Sequence, residues 1–179
     1  MKFSKVLEGR RSIRRYKEKA IDHDAIHKII KSATLAPSWK NSQCWRFYVV
    51  TDELKLAELK ENGLPGMNKE KVEHAPCLIV SCFETGLSGL GNDGEYANSC
   101  GEGWSYFDLG LAVENLCLEA YAQGLGTLIM GIRNEEAIRS MLGIPETQEI
   151  VAVIALGEPD VEPPMPKRKK VKETTVFFD

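Results

Sequence analysis

The sequence lacks any apolar run that approaches the roughly 18 residues of a membrane span. Its first residues, MKFSKVLEGRRS, contain no apolar stretch of the kind found in secretory signal peptides. We therefore expect a soluble, cytoplasmic protein that does not bind membranes. Lys and Arg (23) are outnumbered by Asp and Glu (26), and this slight acidity argues against a nucleic-acid partner, for which a basic domain is expected.

The sequence also lacks a disulfide framework. The five cysteines are an odd number without framework spacing. Cys77, Cys82 and Cys117 lie in apolar stretches and are predicted to be reduced core residues. Cys100 lies in a glycine-rich stretch with no histidine near it in sequence, so we interpret it as a free surface thiol.

The motifs of several common enzyme classes are missing as well. His23 and His27 are four residues apart, the helical spacing of paired metal ligands, but no third ligand lies nearby and no metal site is expected. The chain contains neither a P-loop nor a G-x-S-x-G motif. Nucleotide hydrolysis and serine hydrolysis are therefore not favoured.

What is present is a single domain over residues 1–179, with 43% hydrophobic residues and alternating element types. Helices are predicted at 21–36, 52–62, 104–123 and 134–142, and strands at 44–51, 76–83, 127–131 and 149–157. This alternation indicates an α/β or α+β class with helices against one sheet. The helix at 104–123 is apolar almost all round, which predicts burial in the core or under a second subunit.

Two segments outside this pattern are notable. Residues 84–101 are rich in Gly, Asn and Ser, and a loop of this length is usually functional or mobile. The tail from about 159 to 179 carries four prolines, the basic run 167–170 and a β-prone ending, TTVFF. Its prolines exclude a continuous helix.

Cationic and polar motifs then suggest a binding site. In RRSIRRY, Arg10, Arg14 and the Ser12 hydroxyl could converge on one phosphate, since guanidinium groups donate in a planar fork and stay charged; a solvated basic face is the alternative. Arg168 and Lys169 of the tail could reach the same anion, or lie in a frayed terminus.

Three further motifs have a functional and a structural interpretation each. The loop APSWKNSQCWRF offers Ser38 and Asn41 to a ligand edge, or is a polar turn before a strand. Asn68 and Lys71 are spaced to face one side of a helix, as a ligand-binding pair or as exposed residues. In GLGTLIMG the glycines allow close backbone approach to a flat group, or end a helix.

Taken together, these motifs resemble the nitroreductase-like FMN flavoenzymes over essentially the whole chain. The matched positions are, in order, Arg10, Arg11, Ser12, Ile13, Arg14 and Tyr16; Pro37, Ser38, Asn41, Gln43 and Trp45; Asn68 and Lys71; Asp108, Gly110, Asn115, Leu116, Ala120, Gly124, Leu125, Gly126 and Thr127; and Arg168 and Lys169. Trp39 departs from this pattern, since the family often has a small Ser there, and Cys44 replaces the usual Pro. Both departures put the range of substrates in question.

The resemblance implies an α+β fold with a mostly antiparallel central sheet flanked by helices, and a homodimer with the long helix in its core. FMN would have its phosphate held by Arg10, Ser12 and Arg14 with Arg168 or Lys169, and Arg11 would be a further cofactor-binding residue. The remaining flavin contacts would come from Pro37, Ser38, Trp39 and Asn41 of the second subunit, from Asn68 and Lys71 at the pyrimidine edge, and from Gly126 and Thr127 near N5. The tail would pack on the partner.

The implied activity is electron transfer from NAD(P)H to a small electron-poor acceptor by a ping-pong mechanism. Lys71 would be the catalytic residue. The acceptor would be a nitroaromatic, a quinone or a free flavin. A specialised flavin reduction such as dehalogenation, and a non-catalytic flavin-binding or storage protein, remain the alternatives.

Overall fold

A four-stranded antiparallel sheet with strand order β1-β2-β4-β3 forms the centre of the computed structural model, which describes residues 2–178. The strands are β1 (Trp45–Val50), β2 (Cys77–Glu84), β3 (Gly126–Met130) and β4 (Gln148–Gly157). The inner strands β2 and β4 are covered on both faces, which is why CLIVSCFE and QEIVAVIALG are nearly continuous apolar runs. All four predicted strands and the α+β class are confirmed.

Helices cover both faces of this sheet. They are α1 (Phe3–Gly9), α2 (His23–Ala33), α3 (Glu53–Glu58), α4 (Met67–Lys71), α5 (Gly103–Ala122) and α6 (Glu135–Leu142), with a π-helical turn at Leu59–Gly63 after α3. Successive side chains of a strand point to opposite faces. Ile79 of β2 therefore joins the core formed with α2 and α5, and Val80 joins the second core, which includes Leu56 of α3 and Ile138 of α6.

Local sequence signals explain where several elements begin and end. The Asp22 side chain accepts a hydrogen bond from the backbone N–H of Asp24 and so caps α2, as predicted. Gly124 follows α5 with φ at 80°, a conformation that glycine adopts without the strain of a Cβ. The helix predicted at 52–62 is present as α3 and the π-helical turn that ends at Gly63.

Some features were not predicted or are only partly as expected. The short helix α1 has no strong sequence signal, and within 159–178 the only regular element is a 3₁₀ turn at Val171–Glu173. Helix α5 has buried residues from Ser105 to Ala120, yet Tyr106 and Phe107 are exposed. Cys100 is exposed and Cys77, Cys82 and Cys117 are buried, as predicted, and Cys44 is buried as well. Over residues 2–178 no helix has the length and apolar character of a membrane span.

Candidate functional site

The arginine segment at residues 10–16 lies beside the start of β3. The backbone N–H of Ile13 donates to the Thr127 carbonyl at 2.9 Å, and Ser12 forms an isolated parallel bridge with Thr127. Buried Ile13 and Tyr16 anchor the segment, and the Tyr16 hydroxyl donates to the Ile13 carbonyl at 3.0 Å. Ser12 beside them is half-buried and Arg14 is exposed, so both are accessible from outside the core.

The arginines of this segment have different surroundings. Arg10 Nε lies 3.8 Å from a carboxylate oxygen of Glu114 on α5. Arg14 is exposed, and its Nη1 donates to the Ser12 carbonyl at 3.3 Å. Arg11 Nη1 donates to the Arg10 carbonyl at 2.6 Å, while Arg11 Nε is buried without a hydrogen-bond partner in the described residues. Arg11 and Arg14 thus each direct Nη1 to a backbone carbonyl of their own segment, and Arg10 and Arg14 keep further donors available to an outside anion.

A cavity of about 690 Å³ adjoins this segment. Its lining includes Arg10, Arg11, Gly126, Thr127 and Pro159. The tail begins at the rim of the cavity.

The base of the tail is held at that rim by charge. Lys17 and Lys19 donate to the two carboxylate oxygens of Glu158 at 2.5 and 2.6 Å. These hydrogen bonds lower the pKa of Glu158 to about 2. The backbone N–H of Asp160 also donates to the Arg15 carbonyl.

Gly126 and Thr127 contact the arginine segment of their own chain. A Cβ on Gly126 would lie 2.4 Å from Ile13 Cγ1, so only glycine lets the segment approach β3 this closely. Thr127 is buried, and its carbonyl is already engaged by Ile13. The approach of Gly126 and Thr127 to a flat ring remains a prediction.

Asn68 and Lys71 lie on α4, as their spacing predicted. The Asn68 amide donates to the Ile132 carbonyl just beyond β3 at 2.9 Å, and Lys71 Nζ lies 3.5 Å from Asn68 Oδ1. The pair therefore stands near the opposite end of β3 from the arginine segment. Between these two ends the side chain of Ile129 is 47% exposed, although it belongs to a strand of the central sheet. The exposure of Ile129 has no signal in the sequence, because TLIMG is typical of a core strand.

The loop 37–43 has an unusual backbone. Lys40, Asn41 and Gln43 have φ of 44°, 59° and 49°, values that side chains other than glycine seldom adopt. The Ser38 hydroxyl accepts a hydrogen bond from the Gln43 N–H at 3.0 Å, and the Trp39 N–H donates to Asp108 Oδ2 at 2.9 Å. Side chains from inside and outside the loop therefore hold this conformation.

Segment 84–101 is attached to the same loop, a connection without any local sequence signal. Trp39 Nε1 donates to the Leu90 carbonyl at 2.9 Å, and Lys40 Nζ donates to Asn92 Oδ1 at 2.9 Å. Glu102 accepts from the Gly86 N–H at 3.1 Å and from the hydroxyls of Tyr96 and Ser105. Burial acts to raise the pKa of Glu102, but these three donors outweigh it and the pKa is lowered.

The predicted site residues are not all brought together in one chain. Arg168 and Lys169 are exposed, and no hydrogen bond or ion pair joins either to another residue in the range 2–178. Within that range no such contact links loop 37–43 to the arginine segment either. The described residues also contain no group of three or more His, Cys, Asp or Glu able to hold a metal ion. The arginine segment and the Asn68–Lys71 pair thus lie at the two ends of β3, while loop 37–43, Arg168 and Lys169 make no hydrogen bond or ion pair with either within residues 2–178.

Comparisons with known proteins identify the family of this chain. The sequence model of the Nitroreductase family matches residues 7–158. An Archaeoglobus fulgidus protein is 35% identical over 162 residues, which cover 88% of this chain and 86% of that protein; its name, NADH dehydrogenase/NAD(P)H nitroreductase, is a provisional one. The NADH dehydrogenase of Thermus thermophilus is 30% identical, with 86% of this chain and 84% of that protein covered.

A solved structure shows the same fold. The crystal structure of a nitroreductase family protein from Streptococcus pneumoniae superposes with a TM-score of 0.87 at 25% identity, covering 99% of this chain and all of that one.

Proposed function

Since this chain belongs to the nitroreductase family, we propose that it is an FMN-dependent oxidoreductase that uses NAD(P)H to reduce a small electron-poor acceptor by a ping-pong mechanism. The acceptor class is a nitroaromatic, a quinone or a free flavin. The names of the Archaeoglobus and Thermus relatives support the electron donor. The flavin supplies the redox chemistry when it is bound, and the protein binds it, orients it and adjusts its charge.

The observation that carries the proposal is the distribution of polar groups along β3. The Ser12–Arg14 segment lies at Thr127, and the Asn68–Lys71 pair lies at Ile132. The five residue steps between these contacts span at most about 18 Å. An elongated ligand with a phosphate at one end and a polar ring edge at the other matches this distribution.

The donors at each end suit the two ends of FMN. Arg10, Ser12 and Arg14 offer guanidinium and hydroxyl donors to a phosphate, with Arg168 or Lys169 of the tail completing the set. Asn68 and Lys71 offer an amide and an ammonium group to the pyrimidine edge, where the positive charge of Lys71 stabilises negative charge that develops on reduction. The exposed Ile129 supplies an apolar surface between the two ends.

A homodimer is part of the proposal. Phe3 and Leu7 of α1 and Phe107 of α5 are exposed on a single chain, as is Phe178 of the tail. A second copy would bury these side chains and bring its loop 37–41 to the flavin, including Pro37, Ser38, Trp39 and Asn41. We also propose that the protein acts in the cytoplasm.

Anaerobic spectroscopy of the purified yellow protein tests the activity. Addition of NADH or NADPH should bleach the flavin absorbance. Denaturation should release a flavin that chromatography identifies as FMN. Release of FAD would contradict the phosphate assignment. Bleaching by dithionite alone, with no response to either nicotinamide nucleotide, would indicate a flavin-binding protein without turnover.

A further inference from the structure

A buried carboxylate on α5 joins the loop 37–43 to segment 84–101. Asp108 is 2% exposed, and no ion pair with Asp108 occurs among residues 2–178. Its Oδ2 accepts two hydrogen bonds from separate parts of the chain, from the Trp39 backbone N–H at 2.9 Å and from the Ser88 hydroxyl at 2.7 Å. A buried charge is costly unless donors satisfy it, and here both donors come from the segments that Asp108 joins.

The direction of the hydrogen bonds around Ser88 follows from its chemistry. Ser88 is fully buried, and its Oγ lies 2.7 Å from Ser42 Oγ as well as from Asp108. A serine hydroxyl has only one proton to donate. Since Ser88 gives that proton to the carboxylate, Ser42 must donate to Ser88, and the chain runs from Ser42 through Ser88 to Asp108. Hydrogen bonds that follow one another in this way polarise and strengthen each other.

The loop needs an external support of this kind. Trp39 opens a 3₁₀ turn, Trp39–Asn41, whose N-cap Ser38 makes no side-chain capping bond. Asp108 supplies the missing acceptor from another element. Backbone in sparsely populated φ/ψ regions, such as that of Lys40 and Asn41, persists only where the surrounding structure holds it.

We propose that Asp108 is a positioning residue for flavin binding. It holds the loop that presents Ser38 and Asn41, and through Ser88 it locks segment 84–101 to that loop so that the two move as one unit. The consequence for flavin rests on the proposed function, whereas the lock itself is a property of the apoprotein.

Hydrogen exchange in the apoprotein tests the lock with amides that do not touch Asp108. The Ser42 N–H, bonded to the Trp39 carbonyl at 2.8 Å, reports on the loop, and the Ala97 N–H, bonded to the Gly89 carbonyl at 2.8 Å, reports on the segment. Asp108→Ala should accelerate exchange at both amides together by roughly tenfold to a hundredfold. The amide of Ile79 in β2 should keep its protection.

Matched variants separate positioning from general stability. Asp22→Ala removes a carboxylate that caps α2 and should leave both reporter amides unchanged. Asp108→Asn keeps an acceptor oxygen and should restore part of the protection. Ser88→Ala, which alters the core less, should free the Ala97 amide more than Ser42→Ala does, because Ser42→Ala leaves the bond from Ser88 to Asp108 intact.

Titration of the apoproteins with FMN then tests the consequence. Asp108→Ala should weaken FMN binding about tenfold or more, and Asp22→Ala should not. The inference is overturned if Asp108→Ala leaves the exchange rates of the Ser42 and Ala97 amides unchanged, or if it raises the exchange rate of the Ile79 amide as much as theirs. It is also overturned if exchange shows a loosened loop while the affinity for FMN is unchanged. A wild-type protein that binds no FMN would instead overturn the proposed function, while exchange would still decide whether the lock exists.

Discussion

Replacement of Gly126 by alanine probes the contact on which the site depends. The added Cβ would lie 2.4 Å from Ile13 Cγ1, 2.9 Å from Ile13 Cβ and 3.1 Å from Pro159 Cγ. Distances under 3.0 Å require the neighbour to move, and Ile13 Cβ is not the free end of a flexible side chain. Ile13 must therefore shift, which strains its 2.9 Å hydrogen bond to Thr127 and displaces the arginine segment.

The expected cost follows from three contributions. Overpacking of a well-packed site costs about 1–3 kcal/mol, and loss of one hydrogen bond costs about 1 kcal/mol. The smaller conformational entropy of the unfolded alanine variant offsets about 0.4–1 kcal/mol. The net loss in the free energy of unfolding is then about 1–3.6 kcal/mol, which lowers the thermal midpoint by roughly 2–14 °C for a chain of this length.

Thermal unfolding of the apoprotein and FMN titration are the assays. Gly131→Ala is the matched control for stability, since a Cβ at Gly131 meets no atom within 4 Å and its φ lies outside the left-handed region. Gly126→Ala should lower the thermal midpoint and weaken FMN binding, and Gly131→Ala should not lower the midpoint. A Gly126→Ala protein as stable as wild type would refute the close approach of the arginine segment to β3.

Four further predictions concern single side chains. Arg14→Ala should weaken FMN binding more than Arg15→Ala, by roughly tenfold to a hundredfold for a charge-assisted bond; equal losses in titrations of the two apoproteins would refute the assignment. Lys71→Met should lower the flavin midpoint potential by roughly 20–40 mV. A unit charge at ~4 Å contributes ~4 kcal/mol at an effective dielectric near 20, of which ~1–2 kcal/mol remains after desolvation and screening. For a two-electron couple, 30 mV equals about 1.4 kcal/mol. Dye equilibration that finds an unchanged potential would remove Lys71 from the mechanism. Glu158→Gln should destabilise the protein near neutral pH, and the difference from wild type should vanish as pH falls from about 4.3, the ordinary pKa of Glu, to about 2, the folded value; a difference in thermal midpoint that persists in acid would contradict the lysine clamp. Cys100 should be the only one of the five thiols to react with a disulfide reagent in the native protein, since the other four are buried; more than one fast-reacting thiol would contradict that burial.

The pH dependence at Glu158 has a definite sign. Its pKa is depressed in the folded protein because Lys17 and Lys19 donate to the carboxylate. The stabilisation is therefore complete above the unfolded pKa and is lost as protons bind on the way down to the folded pKa.

Much of the fold could be predicted from short stretches of sequence. The apolar runs of β2 and β4, the helical spacing and cap of α2, and the long apolar α5 each depend on side chains within a few residues of one another, and periodicity records such local preferences. The pairing of Asn68 with Lys71 is equally local, because the two residues are three apart on one helix. Helix α1 was missed because a helix of seven residues is marginal without tertiary packing.

The candidate site was predicted as a set of residue types, and their individual roles needed the tertiary structure. The sequence grouped Arg11 with Arg10 and Arg14, but the structure directs Arg11 Nη1 to the carbonyl of Arg10. The position of the whole segment beside β3 rests on Ile13 packing against Gly126, more than a hundred residues away in sequence. No pattern within the segment RRSIRRY reports on that contact.

The sequence alone therefore determined the secondary-structure elements and the motifs. Each of these depends on residues that are close together in the chain. Only the tertiary structure brought Trp39 and Ser88 to the carboxylate of Asp108, Asn68 to the carbonyl of Ile132, and Ile13 to Thr127. Each of these hydrogen bonds joins residues at least 20 positions apart in sequence. Such contacts form only after the sheet and helices have packed, because packing has to place a donor and an acceptor within about 3 Å of each other.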